Sequence, residues 1–584
     1  MHACRQDTIN YPFVFEITEA EPVNLETSAE AERHLEVYAL TVEEPDTYAP
    51  HVCVIDSGVQ EKHPFLAAAV KSADSISFLP QDDTTGDSVR GGGHGTRVAG
   101  AVLFPQGLPD QDRVKAHCWI QNARVLDGDC MLPELLFPPL LIERIVSIFA
   151  GTTKLFNHSI SGSHPCRLSH VSAWAATMDK LSHEQDVLFL QAAGNIPDFG
   201  PRNNPGIINH LEAGRAYPEY LSQPSSRVAN PAQSLMALTI GSVNCGEYSD
   251  DDGSAFSKFL EVSSFSRGGP SIWGTIKPEL VERGGDAVLS PNGQSTVYRP
   301  ETSPELLRST HEGGPLIDRD DIGTSYSCPM VTSIAADIQA VFPDDPALLY
   351  RALLVQSARW PEWTNTLDDD QLEDVVRRIG YGIPDRERAT TNTPYRVTLV
   401  TPGRNSIHAR EAHIYSVPIP EEFRTEQAFT IRIDVTLAYT AKPRRTRRHI
   451  RGYLSTWLDW RVSNAGEDLP SFQRRVLRES EHGTSGDFGT FDWTLRERVD
   501  WGRTQGVSRN QSTTQKDWAY VNSSDLPSDF CVAVIGHPGW DADPSSTANY
   551  SLVVSLEAMD AAVEIYESIR AAVDIPIQLE IEPW

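Results

Sequence analysis

The feature that most constrains the fold is a regular alternation of short apolar runs and helical segments between residues 50 and 388. The apolar runs are rich in β-branched residues and have the length of buried strands, and the segments between them have the periodicity of helices. This alternation predicts βαβ units, and so an α/β fold with a mostly parallel sheet flanked by helices. Such sheets place active sites at the carboxyl ends of their strands. The predicted strands include 52–55, 187–190 and 238–243, and the predicted helices include 96–102, 140–149, 169–181, 330–341 and 346–357.

The chain of 584 residues divides into three regions around this pattern. Residues 1–49 are acidic and predict a short N-terminal extension. Residues 389–584 alternate with a period of two in several runs, which predicts an antiparallel β-sandwich-like domain. Its last amphipathic segment, 557–573, predicts a helix. Two long polar stretches, near 196–230 and 246–320, interrupt the α/β pattern and are interpreted as insertions.

Charge and cysteine content narrow the function classes. The chain has 50 basic and 80 acidic residues and a net charge of −30, so most of its surface repels nucleic acid and anionic membranes. The eight cysteines contain no CxxC pair and are expected to be reduced thiols in a reducing compartment. The N-terminus lacks a secretory pattern, and prolines and charges interrupt the longest apolar stretch, 131–151. We expect a cytoplasmic protein that does not bind membranes or nucleic acid.

Three short motifs contain residues that can take part in catalysis. An apolar strand ends at Asp56, where a carboxylate can orient another group or form a turn. His94 follows three glycines at the start of a small-residue helix, where it can be a general base or a structural residue. Ser325 follows a Gly-Thr turn at the start of an apolar helix, where it can be a nucleophile or a helix cap. Together they are the acid, base and nucleophile that a hydrolase needs.

Their order in the chain resembles that of the subtilisin-like serine proteases (subtilases, peptidase family S8). The resemblance covers roughly residues 50–388. It rests on the segments VIDSG at 54–58, HGTRVAG at 94–100 and GTSYSCP at 323–329. It implies that Asp56, His94 and Ser325 form a catalytic triad.

The resemblance also implies the rest of the site. The segment QAAGN at 191–195 resembles the oxyanion-hole segment, so Asn195 and the Ser325 backbone N–H would donate to the oxyanion. The segment NHSISG at 157–162 resembles the lining of the substrate channel, and GYGIP at 380–384 resembles the end of the catalytic domain. The implied substrate-binding residues are Ser159, Ser161, Gly162, Ala193 and Gly194.

The sequence departs from the family pattern in three places. Residues 1–49 are short for a signal and a folded propeptide. Cys328 stands in the serine segment where the family usually has a small residue, commonly alanine. The interval from Asn195 to Ser325 is long for a subtilase.

Two kinds of charged cluster have open interpretations. The acidic clusters 250–252 and 318–321 are either structural calcium sites or solvated loops, and solvated loops are favoured because neither has an oxygen-ligand spacing. No cofactor or metal is therefore expected to be required. The basic run 442–451 is interpreted as a hairpin tip that is either solvated, which is the default, or docked on an acidic partner, on nucleic acid or on the acidic catalytic surface.

The sequence thus predicts a serine endopeptidase that hydrolyses protein or peptide substrates through an acyl-enzyme. An unrestrained intracellular protease would be harmful, so we expect control by a conformational change or by a regulatory partner such as an ATPase. A catalytically dormant binding or scaffold protein on the same fold is the alternative. The complete set of site residues argues against that alternative.

Overall fold

The computed structural model describes residues 40–425, 428–445, 449–482, 490–495, 511–541, 543, 545–560, 563–573 and 578–581. Residues 1–39, most of the predicted N-terminal extension, lie outside these ranges. Within them, no helix is both long and apolar enough to cross a membrane.

The first large unit is a parallel sheet of seven strands, as the alternation predicts. The strand order is β7-β6-β5-β4-β1-β3-β2, and every neighbouring pair is parallel. The chain changes direction across the sheet between β1 and β4, which opens a crevice at their carboxyl ends. The strands are β1 His51–Asp56, β2 Val70–Ser77, β3 Trp119–Arg124, β4 Leu155–His158, β5 Leu188–Ala192, β6 Leu238–Val243 and β7 Leu280–Arg283.

Helices cover both faces of this sheet. Val52 and Val54 of β1 pack on the side of the helices at 95–103, 324–341 and 347–357, whereas Cys53 and Ile55 pack on the side of the helices at 138–149 and 173–185. The strand is therefore apolar at its four central positions, 52–55, and each fully buried aliphatic side chain contributes about 1.5–3 kcal/mol. The helices are α1 Gly95–Leu103, α2 Pro138–Phe149, α3 Ala173–Gln185, α4 Thr324–Val341, α5 Ala347–Ser357 and α6 Asp369–Ile379.

The two long polar stretches are more structured than the sequence suggests. The stretch 246–320 contains β7, an edge strand of the central sheet, so it is divided into two parts. The sequence gives little sign of β7 because its run, LVER, is short and half charged. Short elements fill the remaining connections: helices Ile207–Glu212, Glu219–Ser222, Pro224–Ser226, Ile272–Gly274, Pro300–Thr302, Glu362–Thr366 and Arg386–Thr390, and strands Thr41–Glu43, Arg113–Lys115, Ser249–Asp250, Gly253–Ala255, Val288–Leu289, Thr296–Val297, Leu306–Leu307 and Ile317–Asp318.

The C-terminal region forms two antiparallel sheets, in agreement with the period of two. One has the order β8-β15-β11-β13, with β9 also paired to β15, and the other has the order β12-β14-β10-β16. Apolar side chains of both sheets, such as Val435 and Trp460, belong to one buried cluster. The strands are β8 Arg396–Val400, β9 Asn405–His408, β10 Ala412–Pro418, β11 Thr430–Ala441, β12 Thr456–Val462, β13 Thr514–Asn522, β14 Asp529–Pro538, β15 Thr547–Ala558 and β16 Gln578–Ile581, and the helices are Glu421–Thr425, Ile450–Tyr453, Leu469–His482, Ser523–Asp525 and Tyr566–Val573.

The helix predicted over 557–573 is too long at its start. β15 continues through Ala558, and the helix begins only at Tyr566. The reason is pairing: β15 bonds to β8 and β11 along its length, and this ladder outweighs the local helical pattern. In the basic run, residues 446–448 lie outside the described residues.

Buried charges join the C-terminal sheets to the α/β unit. Asp434 of β11 is fully buried and forms ion pairs with Arg359, which follows α5, at 3.1 Å and with Arg432 at 3.0 Å. Lys516 of β13 is also fully buried, and its ammonium donates to the carbonyls of Gln356 and Ala358 at 3.2 and 2.6 Å. A charge that is buried away from water is costly unless it has a partner, and here partners lie across the junction between the α/β unit and the C-terminal sheets.

Candidate active site

The three motif residues lie on three different elements. Asp56 is the last residue of β1, His94 immediately precedes α1, and Ser325 is the second residue of α4. Helices α1 and α4 pack against each other, and the ring of Tyr326, beside Ser325, lies 5.6 Å from the His94 ring. The crevice beside β1 therefore brings together residues that are far apart in the sequence.

Asp56 and His94 form a buried pair. The Nδ1 atom of His94 lies 2.6 Å from Oδ1 of Asp56, and both side chains are nearly inaccessible to solvent. This bond leaves Nε2 as the nitrogen that can accept a proton. Burial opposes protonation of the imidazole, but the charge of Asp56, helped by Asp321 and Asp87, outweighs it and raises the pKa of His94.

Ser325 is held in a reciprocal pair with Ser159, one of the implied substrate-binding residues. The Ser325 hydroxyl donates to the Ser159 carbonyl at 3.2 Å, and the Ser159 hydroxyl donates to the Ser325 carbonyl at 3.0 Å. These bonds fix the start of α4 against the end of β4. The nucleophile candidate is thus engaged with a backbone carbonyl in this structure.

Asn195 and the Ser325 backbone border one small space. The side-chain oxygen of Asn195 accepts from the N–H and the hydroxyl of Thr324 at 3.1 and 2.9 Å, which leaves its NH₂ group as the outward donor. A methyl carbon built on Gly323 would lie 3.2 Å from Asn195 Nδ2 and 3.7 Å from Ser325 N. The missing side chain at 323 therefore leaves room for an oxygen atom between two N–H donors, as an oxyanion hole requires.

The remaining substrate-binding residues that the resemblance implies form two adjoining walls, one made by 161–162 and the other by 193–194. The Gly162 N–H donates to the carbonyl of Asn230 at 2.7 Å. A methyl carbon built on Gly194 would lie 3.1 Å from Ser161 Oγ and 2.8 Å from Cβ of Ala229. The wall 161–162 therefore meets the wall 193–194 beside Ala229, a neighbour that sequence reasoning missed because it lies inside the first long polar stretch.

A buried ionic cluster links the segments that carry His94 and Ser325. The Arg97 guanidinium pairs with both carboxylate oxygens of Asp320 at 2.8 Å and with Asp321 at 2.9 Å. Asp321 also accepts from the Tyr326 hydroxyl at 2.6 Å. The expectation of a solvated loop at 318–321 is therefore wrong for these two acids, because Arg97, three residues after His94, draws them inward.

Asp87 is a second residue that sequence reasoning missed. It is fully buried, and its carboxylate accepts from the Ser57 hydroxyl at 3.0 Å and from the Thr96 N–H at 2.8 Å. Burial raises the pKa of Asp87, and the bonds from Thr96 and Ser57 oppose that rise. Because the Ser57 hydroxyl also accepts from the Gly95 N–H at 2.9 Å, this group fixes the first turn of α1 beside His94.

One protein family matches the chain over most of its α/β part. A family model described as "Subtilase family" matches residues 48–382, which is more than half of the chain. The crystal structure of MycP1 with the N-terminal propeptide removed matches 59% of this chain and 92% of its own chain, at 20% identity and a TM-score of 0.35.

Two curated relatives match shorter parts. The chain is 35% identical over 299 residues to the uncharacterized protein y4bN of Sinorhizobium fredii (strain NBRC 101917 / NGR234), which covers 48% of this chain and 65% of that protein. It is 28% identical over 139 residues to the serine protease AprX of Bacillus subtilis (strain 168), which covers 24% of this chain and 27% of that protein. The chain thus spans less than two thirds of the length of either relative.

Proposed function

The chain belongs to the subtilase family, and we propose that it is a serine endopeptidase in which Asp56, His94 and Ser325 form the catalytic triad. The observation that carries the proposal is the space in front of Gly323. Two N–H donors, from Asn195 and Ser325, border that space. The Tyr326 ring also borders it, with Cδ2 3.9 Å from the methyl position on Gly323, and this ring lies 5.6 Å from the ring of His94, which is paired with Asp56.

In the proposed reaction, the Ser325 hydroxyl leaves the Ser159 carbonyl and gives its proton to Nε2 of His94 as Oγ bonds to the substrate carbonyl carbon. The carbonyl oxygen becomes an oxyanion held by Asn195 and the Ser325 N–H. The C–N bond then breaks, the amine takes the proton from His94, and an acyl-enzyme remains. Water attacks this ester with His94 as base, and Ser325 regains its proton as the acid leaves. Asp56 stabilises the imidazolium throughout.

Two features support an intracellular enzyme under conformational control. All seven cysteines of the described residues are free thiols, which fits a reducing compartment. The Ser325 hydroxyl donates to the Ser159 carbonyl, so this hydrogen bond must open before the hydroxyl can give its proton to His94. A substrate or a regulatory protein that shifts this pair would raise activity without changing the triad residues.

A serine-reactive fluorophosphonate probe tests the assembled site. We expect the probe to label Ser325 and expect a peptide library to be cleaved by the native chain but not by Ser325→Ala. Ser357→Ala is a matched control because this buried serine lies at the end of α5, and its hydroxyl donates to the Leu354 carbonyl at 2.8 Å and accepts from the Asp385 N–H at 3.3 Å, neither of which is a candidate site residue. Absence of labelling and cleavage in the native chain, under conditions where it is folded, would favour the dormant scaffold instead.

A further inference from the structure

The guanidinium of Arg267 lies buried at the meeting point of four chain segments around the candidate site. Arg267 is 1% exposed. Its Nε donates to the carbonyl of Asn195 at 2.9 Å, and one terminal nitrogen donates to the carbonyl of Ser163 at 3.1 Å. The other terminal nitrogen donates to the carbonyls of Ser225 and Arg227 at 2.7 and 3.2 Å. The guanidinium thus binds four backbone carbonyls at once.

These contacts hold Asn195 from its backbone side. Thr324 holds the side-chain oxygen of Asn195, and Arg267 holds its backbone oxygen. The next residue, Ile196, donates its N–H to the Phe265 carbonyl at 2.7 Å. Without Arg267, the Asn195 carbonyl would lose a charged donor, and the direction of the amide group would be fixed from one end only.

Arg267 also lies directly behind the two walls described above. Its Cδ is 3.2 Å from the position that a methyl carbon on Gly194 would occupy. Ser163, which it binds, follows the wall 161–162, and Arg227 lies two residues before Ala229. The side chain therefore supports both walls, which under the proposed function form the first specificity pocket, the pocket for the residue before the scissile bond.

The charge of Arg267 has no carboxylate to balance it among the residues that the structure describes. Burial lowers the pKa of Arg267 to about 10, opposed only by the nearby Cys166 thiol. Burial likewise lowers the pKa of Arg227, and Cys166 again opposes it while Arg377 adds to it. Both guanidinium groups remain cationic at neutral pH, so the region behind the pocket is positive.

We propose that Arg267 is a positioning residue that orients Asn195 for oxyanion binding and that its charge disfavours lysine or arginine in the first specificity pocket. The inference rests on the proposed function and adds a substrate class to it: peptides cleaved after uncharged or acidic residues.

A double-mutant cycle tests the positioning role. Arg267→Met, Asn195→Ala and the double variant are compared with the native chain in kcat and KM separately. Arg351→Met is the matched control: Arg351 is equally buried, burial lowers its pKa to about 10, and its partners are two threonines and a carbonyl at the junction with the C-terminal sheets.

We expect Arg267→Met to lower kcat about tenfold or more when Asn195 is present and less than about threefold in the Asn195→Ala background, because Arg267→Met misorients the donor that Asn195→Ala removes. Arg351→Met should lower thermal stability and show no such coupling. If the losses from Arg267→Met are equal in both backgrounds, the positioning role is wrong.

A paired set of peptides that differ only by methionine or lysine before the scissile bond tests the charge. The native chain should prefer methionine, Arg267→Met should reduce that preference about tenfold, and Arg267→Lys should keep it while losing kcat. Arg267→Lys also serves if the methionine variant does not fold. If the preference for methionine is unchanged in Arg267→Met, or if the native chain prefers lysine, this inference is wrong but the proposed function is not affected. A native chain that neither labels nor cleaves overturns the proposed function as well.

Discussion

Replacing Gly323 with alanine should stop hydrolysis and leave the protein folded. Gly323 has φ 161° and ψ 157°, an extended conformation open to any residue. Its N–H donates to the Gly284 carbonyl at 2.9 Å, a bond that alanine keeps. The added methyl carbon would lie 3.2 Å from Asn195 Nδ2, 3.7 Å from Ser325 N and 3.9 Å from Tyr326 Cδ2. Only the first distance is tight, and an outward amide can move by a few tenths of an ångström.

The magnitude follows from those distances. An oxyanion needs a position about 2.7–3.1 Å from each donor, and a methyl carbon 3.2 and 3.7 Å from the two donor nitrogens would crowd that position. Losing a single donor costs about 10²–10³-fold in kcat, so blocking both should cost at least about 10³-fold, or about 4 kcal/mol of transition-state stabilisation. Gly→Ala at a compatible position stabilises the folded state by about 0.4–1 kcal/mol through the unfolded chain, which offsets the one tight contact.

The assay is peptide cleavage combined with urea unfolding of the same samples. Gly151→Ala is the matched control, because a methyl group there would meet no atom within 4 Å. We expect the free energy of unfolding of Gly323→Ala to remain within about 1 kcal/mol of the native value. Cleavage by folded Gly323→Ala within tenfold of the native rate would refute the assignment of the oxyanion site.

Three further predictions follow from the site and the junction. Ser325→Ala should lower kcat about 10⁶-fold and Asn195→Ala about 10²–10³-fold; cleavage by Ser325→Ala at the native rate would exclude it as nucleophile. Burial opposes protonation of His94, but the charge of Asp56 outweighs burial and raises the pKa of His94. The rise of kcat/KM with pH should therefore have its midpoint above about pH 6.5, and a lower midpoint would contradict this reasoning. The folded protein binds the His94 proton more tightly than the unfolded chain does, so this proton stabilises the fold. Its contribution to stability is complete below about pH 6.5 and is lost as the pH rises through the raised pKa of His94. Asp434→Ala should lower the free energy of unfolding in urea by about 3–5 kcal/mol, because the buried cations that pair with Asp434 lose its charge. An unchanged urea midpoint would mean that these ion pairs at the junction are not needed for stability.

The sequence alone determined the architecture and the candidate residues, because both are written in local patterns. Strand and helix periodicities depend on near neighbours along the chain, so the α/β order and the antiparallel C-terminal strands were predictable. The motifs around Asp56, His94 and Ser325 are equally local. The limits appear where pairing competes with local pattern: β7 is short and charged, and β15 extends into a segment with helical periodicity.

Only the tertiary structure decided which distant residues support the candidate site. Arg97 and Asp320 are 223 positions apart, and nothing near either residue indicates that they pair. Asp87 and Arg267 give no local signal either, because each acts by reaching backbone or side-chain groups of other segments. A buried charge is stable only where the fold supplies its partners, and those partners exist only after the long connections have closed.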